Sequence, residues 1–480
     1  MKISMLDPRV EATSREDLIT PMHHHDGGDF LLTADPAEPS GHRRVSRAEA
    51  GRVVAAANTT PGVDQVDHLD GTRFGRRGFL AGGIAGFGAM SLSVAAPRMA
   101  FAATPSNADL LVVVFLDGAI DWLSGLVPVA DAEYYKARRT IAVPTSDTVP
   151  LSPRYGLSKH MSALKPLWDA KQAAFVLGTG NPSVTRSHFE ASITCEQAAP
   201  SQQRSGWIGR ELAARSAAGG TFRALSMGTS VTTSLTTTAF DAVAMSAVDE
   251  FDLSGWGESR DRVRRGMDRL FARAGGELQA QAQKTLKAID ELGPVRAAGY
   301  TPASGAVYPA GAFGSGLKDV ARMAKSSAML EAAAVTFDGW DMHSGLGASS
   351  DANAWFSRNA RTLSQALAAF AADLGPVWAR TTVVVMSEFG RRVAENASGG
   401  LDHGHGNAML VLGGGVNGGI YGSMPSLAPG NLVAGDVPIT TDYRRVLSEL
   451  IAKRMGGAAR LGTVFPGYAQ QPFLGLARVR

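Results

Sequence analysis

Leu110-Leu111-Val112-Val113-Val114-Phe115-Leu116 is an unbroken apolar run, β-branched at its centre, that ends in Asp117-Gly118. A strand with one wet face alternates apolar and polar residues. A run apolar at every position predicts a strand covered on both faces, as in a parallel sheet flanked by helices. Residues 173–177 and 382–386 have the same character, and 409–412 are a shorter example. Between these runs the period changes. Leu363, Leu367, Phe370 and Leu374 recur at steps of four, three and four, which is one face of an amphipathic helix. Val263, Met267, Leu270 and Phe271 do the same in a charged segment that continues past Gly275-Gly276 to Leu292. Strands alternating with helices predict an α/β fold, doubly wound, with a mainly parallel sheet and helices on both faces. The Gly/Ala/Pro-rich stretch 294–316 reads as a long loop within one domain.

Outward from this core, the N-terminal part has a different composition. Residues 1–70 are polar, rich in Asp, Arg, His and Pro, and lack sustained periodicity, which predicts a disordered extension. Residues 71–102 follow with Phe74-Gly75-Arg76-Arg77-Gly78-Phe79-Leu80, a weakly apolar Gly/Ala stretch, and Pro97-Arg98-Met99-Ala100-Phe101-Ala102. A basic start, a short apolar centre and an Ala-x-Ala end are the parts of a cleavable signal. Paired arginines followed by x-Phe-Leu resemble the twin-arginine signal, so the translocase of that pathway is the expected export partner. The expected mature domain is 103–480, periplasmic or secreted, with no stable membrane span after cleavage.

Composition narrows the classes further. The 45% hydrophobic content is that of a globular chain, and a net charge of +3 without a basic, aromatic-interleaved stripe argues against nucleic-acid binding. The single cysteine, Cys195, excludes an internal disulfide and reads as a buried, inert thiol.

The polar motifs follow or adjoin the predicted strands, where ligands of open α/β sheets bind. Asp117, after the first strand, either points into the crevice or caps a turn. Past residues 173–177 comes Thr185-Arg186-Ser187-His188-Phe189-Glu190. Ser187 there is either a helix cap completed by Glu190 or a nucleophile at a helix N-terminus, with Thr185 as the fallback and Arg186 as an oxyanion clamp. Phe337-Asp338-Gly339-Trp340-Asp341-Met342-His343 offers Asp338, Asp341 and His343 to a divalent cation. In an extended segment Asp341 and His343 share a side. The run 382–386 ends in Ser387-Glu388-Phe389-Gly390-Arg391-Arg392, and Asp402-His403-Gly404-His405-Gly406-Asn407 precedes the last strand. Glycine-spaced imidazoles suit neither a core nor a solvated face, so at least one of His403 and His405 is expected to be a ligand.

In this order the motifs resemble the alkaline phosphatase superfamily of phosphatases, sulfatases and cofactor-independent phosphoglycerate mutases. More narrowly, Leu-Asp-Gly, Ser-His-Phe-Glu-Ala, Phe-Asp-Gly-Trp-Asp-x-His and Ser-Glu-Phe-Gly-Arg, behind a twin-arginine leader, are similar to an exported bacterial family, domain of unknown function 1501. The resemblance implies an alkaline phosphatase-like fold and a metal-dependent hydrolase or transferase acting on phosphate or sulfate esters of small molecules. One or two divalent ions, zinc or manganese by donor type, are expected. Asp341, His343 and His403 or His405 would hold one ion, and Asp117 and Glu388 a second. Ser187 would attack, with Arg186 or Arg391 balancing charge. The superfamily's strand-end Asp-His pair stands here as Glu388-Phe389, and a phenyl ring cannot ligate. A single ion, or an exported binding or assembly protein with a structural or vestigial metal, is the alternative.

Overall fold

The computed structural model describes residues 109–479, apart from 184, 201–202, 216–219, 254–259, 275 and 327, together with three short strands nearer the N-terminus. Those three, Lys2–Ser4, Phe30–Thr33 and His42–Val45, pair antiparallel in chain order. The rest of residues 1–70 and all of the expected signal segment 71–102, with Arg76, Arg77 and the cleavage site, lie outside the described residues.

The larger unit is built on a nine-stranded mixed sheet. Its strands are β1 (Leu110–Leu116), β2 (Ala173–Gly180), β3 (Ala224–Met227), β4 (Val243–Met245), β5 (Ala332–Phe337), β6 (Thr381–Met386), β7 (Asn407–Gly413), β8 (Gly419–Gly422) and β9 (Thr441–Asp442). The spatial order is β4-β3-β5-β1-β6-β7-β2-β8, with β9 also pairing β2. All neighbours run parallel except β7, which is antiparallel to both β6 and β2. The sheet is therefore largely, not wholly, parallel. Parallel neighbours need a crossover connection, whereas residues 387–406 between β6 and β7 form no helix and turn straight back.

Every residue of β1 is buried, as its unbroken apolarity requires. Leu111, Val113 and Phe115 pack with the buried faces of α2 (Trp207–Ala214) and α7 (Tyr443–Lys453). On the opposite face α5 (Ala312–Lys325) approaches so closely that a Cβ on its Gly316 would lie 3.4 Å from Val335, the partner of Val114 in the ladder. α6 (Trp355–Leu374) carries the expected stripe, with Leu363, Leu367, Phe370 and Leu374 all fully buried. Helices thus cover both faces of the sheet. The stretch 294–316 is shorter as a loop than its composition predicts. α4 (Gly276–Ala297) runs through Pro294, and α5 begins at Ala312, its apolar residues Phe313, Leu317 and Val320 masked by flanking glycines. Among the described residues no helix is long and apolar enough to cross a membrane.

This topology decides where chemistry can occur. The parallel strands β1, β2, β5 and β6 end at one edge of the sheet, and the reversed β7 begins there. Every polar motif of the sequence follows one of those strand ends or, in the case of His403 and His405, precedes that strand start.

Candidate metal centre

Alternation places the first donors. After β5 burial alternates along the chain, with Trp340 and Met342 buried and Asp341 and His343 exposed. Trp340 is wedged edge-on between Phe337 and Phe356, so the loop has a fixed root. Gly118, just past β1, is in the left-handed region, with φ +105°, and a Cβ there would lie 2.5 Å from the Asp341 amide nitrogen. Only glycine lets the β1 exit rest on the Asp341 backbone.

His188 is the first residue of α1 (His188–Gln197), and Ser187 is its extended N-cap. The Ser187 side chain makes no capping hydrogen bond. Glu190 instead accepts from Thr185 Oγ1 at 3.0 Å, and Thr185 Oγ1 accepts from the Ser187 amide at 3.2 Å. The Ser-x-x-Glu box of the sequence is thus replaced by a threonine turn. Thr185 is committed, while Ser187 is left on the rim.

His403 comes from the 391–406 loop, where Gly404 is pressed onto the backbone of Arg391 and donates its amide to Gly390 O at 2.8 Å. His188 Nε2 lies 2.9 Å from His403 Nε2 and 3.5 Å from Asp341 Oδ1. His343 Nε2 lies 2.8 Å from His403 Nε2 and 3.2 Å from Asp341 Oδ1, and His403 Nε2 lies 3.4 Å from the same oxygen. Donors about 2.0–2.1 Å from a tetrahedral zinc would stand roughly 3.3 Å apart, within this range.

The far side of each ring explains which way its lone pair faces. His188 Nδ1 lies 2.5 Å from Glu388 Oε1, His403 Nδ1 2.8 Å from Arg186 O, and His343 Nδ1 3.4 Å from Asp402 Oδ1. An acceptor on each Nδ1–H leaves each Nε2 with a lone pair, and three lone pairs facing one another repel unless a cation sits among them. Metal-bound histidines are held by such outer partners. Without an ion a proton supplies the charge. Burial disfavours the His188 imidazolium, but Asp341 and Glu388 outweigh it and hold its pKa up to about 9. Asp341 is well below the usual carboxylate range: burial opposes this, and hydrogen bonds from His188, His403 and Arg391 prevail.

Glu388 is fully buried on its side chain, and one of its oxygens is taken by His188. It accepts from the Gly118 amide at 2.9 Å, and Ser387 Oγ stands 2.9 Å from its other oxygen. Asp117 is half-buried and faces this group. Burial, then the Glu388 and Asp338 carboxylates, push its pKa up. Asp338 is exposed at the same edge. Among the described residues the donor atoms of His188, Asp341 and His403 all lie within 4.8 Å of one another. The Phe389 ring packs tilted against two of them, its centroid 4.8 Å from that of His188 and 4.9 Å from that of His403.

The remaining expected residues take other places. Arg391 is buried and donates to Ala119 O at 2.7 Å, Leu401 O at 3.0 Å and Asp341 Oδ1 at 2.6 Å, and also to Gly118 O. It ties together the loops that carry the donors. His405 turns from the centre to Asp436, 3.3 Å from its Oδ2, because Gly406 donates to Val437 O and draws the chain that way. Arg186 pairs with the same Asp436. Burial pushes the His405 pKa down, opposed by Asp436 and helped by Arg186 and Arg392. Cys195 is buried, and its thiol donates to Glu388 O at 3.5 Å. His188, Asp402 and Asp436 escaped the sequence reading. His188 had a signal, being the one polar ring beside the expected nucleophile, whereas Asp436 had none.

A family model described as "Protein of unknown function (DUF1501)" matches residues 171–456, more than half of the chain. The chain belongs to the DUF1501 family. The matched span of this DUF1501 protein holds His188, Asp341, His343, Glu388 and His403, so the whole donor set falls inside it. No curated protein and no solved structure matches the chain.

Proposed function

We propose that this DUF1501 protein is a metal-dependent hydrolase or transferase acting on phosphate or sulfate esters, on an alkaline phosphatase-like fold, and that it is exported from a bacterial cytoplasm through the twin-arginine pathway. The observation that carries the catalytic reading is the meeting of His188, His343, His403 and Asp341 beside Ser187. Three imidazoles and one carboxylate suit zinc better than magnesium or calcium. A bound ion would polarise the ester oxygen and lower the pKa of a bound hydroxyl. The residues on either side of Ser187 both touch the centre, Arg186 through its carbonyl and His188 through its ring. Ser187 heads a helix whose first amides are open to an oxyanion. Its hydroxyl would bond to phosphorus or sulfur as the alcohol leaves with the serine proton, and water would then release the acid. Arg391 would keep Asp341 ionised and the loops in register. With Glu388 turned to His188 and Phe389 packed against two of the rings, the reading is of one ion, not two.

A second reading, a binding or assembly protein, is favoured by a specific feature. His403 Nε2 and Asp341 Oδ1 each lie within 3.5 Å of the Nε2 atoms of both His188 and His343, and an ion among them would cross-link the three loops as a structural site does. Ser187→Ala separates the two. With metal-loaded protein and a panel of phosphate monoesters, diesters and sulfate esters, Ser187→Ala should abolish turnover and leave metal content intact. Asp341→Ala should lose both. Full activity in Ser187→Ala removes the nucleophile, with Thr185→Ala as the matching test. No turnover by metal-loaded wild type on any ester puts the binding reading first.

A further inference from the structure

Asp436 is a carboxylate with no exposed side-chain surface, and it gathers three cationic or potentially cationic groups. Arg186 Nη2 pairs with Oδ2, His405 Nδ1 lies 3.3 Å from the same oxygen, and Arg392 Nε lies 3.6 Å from Oδ1, which makes no hydrogen bond. Two guanidiniums against one carboxylate leave a surplus positive charge even with His405 neutral. The arginines are each 39% exposed, so part of each fork faces solvent while its base is anchored. Asp402, the other carboxylate near Arg392, is engaged by Asn396 at 3.0 Å and by His343. A buried anion that fixes two half-exposed guanidiniums is a costly arrangement for stability alone, since a buried carboxylate is desolvated and a surface arginine gains little from it. It does pre-orient planar donors toward an external oxyanion.

We propose that Arg186, Arg392 and His405 form an oxyanion subsite beside the metal centre, which takes a second negatively charged group of the substrate. The placement follows from the chain. Arg186 is two residues before His188, His405 two residues after His403, and Arg392 next to Arg391, which holds Asp341. Each is one or two residues along the chain from a donor or from the arginine that holds one, so the subsite adjoins the reacting centre. The substrate class that fits is an ester whose alcohol part carries a carboxylate, sulfate or phosphate, in preference to a neutral alkyl ester. This rests on the hydrolase reading for the word substrate, and on the Asp436 cluster for the site itself.

The test is a binding measurement that needs no turnover. Zinc-loaded protein is titrated by calorimetry with butane-1,4-bisphosphonate and with butylphosphonate, two non-hydrolysable probes that differ in their second anionic group. Wild type should bind the bisphosphonate at least about tenfold more tightly, the scale of one added charge-assisted contact. Arg392→Gln, with its zinc content verified, should bring that ratio close to one while changing butylphosphonate affinity little. Arg392→Lys, which keeps charge but loses the fork, should fall between them. A ratio near one in wild type, or an unchanged ratio in Arg392→Gln, overturns the subsite. If the ratio behaves as expected while every ester in the panel is left intact, the subsite stands and the hydrolase reading falls. Turnover with a ratio of one gives the reverse.

Discussion

His403→Ala is the substitution that most directly tests the centre, because His403 Nε2 is the atom shared by both other imidazoles, 2.9 Å from His188 and 2.8 Å from His343. An ion that binds only the native state at about 1,000 times its Kd adds roughly 4 kcal/mol of stability. The unit spanning residues 109–479 has an unfolding entropy of about 0.8 kcal/mol/K at roughly 2.1 cal/mol/K per residue, so zinc should raise the wild-type Tm by about 5 °C. In His403→Ala that increment should collapse to below about 1 °C, because the remaining donors no longer close round an ion. The metal-free Tm should move much less. The lost ring is half-buried, its Arg186 O partner can turn to water, and the crowding of three lone pairs is relieved. Calorimetric scans of chelated and zinc-reloaded protein measure both quantities. His405→Ala is the control: His405 faces Asp436 and should leave the zinc increment in place. A full 5 °C zinc increment in His403→Ala, or its loss in His405→Ala, would falsify the ligand assignment.

Glu388→Gln keeps the shape but weakens the acceptor on His188 Nδ1, and loss of such an outer partner typically costs 10–100-fold in metal affinity; competition with a zinc indicator reads it, and an unchanged affinity contradicts the orienting role. Zinc uptake at pH 7 should release about one proton, since His188 is charged without the ion and must be neutral to ligate; calorimetry in buffers of different ionisation enthalpy counts it, and zero release is incompatible with the imidazolium. In metal-free protein the sign is fixed by the His188 pKa, raised from 6.5 to about 9. Its contribution is complete below about pH 6.5 and is lost as pH rises through about 9, so the metal-free Tm should fall over that interval, and a rise there counts against it. Arg76→Lys with Arg77→Lys should leave the precursor in the cytoplasm; normal periplasmic processing of the double variant rejects the twin-arginine route.

Where side-chain period was the only information needed, the sequence was sufficient. The β1 run has the bounds its apolarity marks, α6 buries the four residues of its stripe, and Asp341 and His343 share a side because Trp340 and Met342 take the other. Direction was harder to read. The run inside β7 looks like its parallel neighbours, and what reverses it is the helix-free connection 387–406. Period also failed to separate His403 from His405. The same glycine-spaced pattern serves both, and they part because Gly404 is tied to Gly390 while Gly406 is tied to Val437. His188 was hidden by local grammar, since Ser-x-x-Glu is a sufficient reason for a helix start and needs no role for the residue between. Asp436 was illegible for a different reason. It lies 250 residues from Arg186, and only the fold brings them together.

The pair Glu388-Phe389 supports the proposal of one ion. A carboxylate that ligated a second ion would have to leave His188 Nδ1, and that ring would then be free to rotate its Nε2 out of the first site. The burial of Glu388, its bond from the Gly118 amide and the nearby Ser387 hydroxyl all oppose such a move. A ligand in place of Phe389 would in turn remove the ring that packs against both His188 and His403. In the one-ion proposal the two residues act together: the glutamate orients His188 and the phenylalanine packs against it and His403. Asp341 and His343, each 46% exposed, are the open side of the donor set, and in the proposed reading an ion or ligand would approach from there. Ser187 precedes His188, and Arg186 and Arg392 are anchored on Asp436 with part of each side chain open to solvent, so in the proposed reading an anion nearing the donors would meet that positive charge as well.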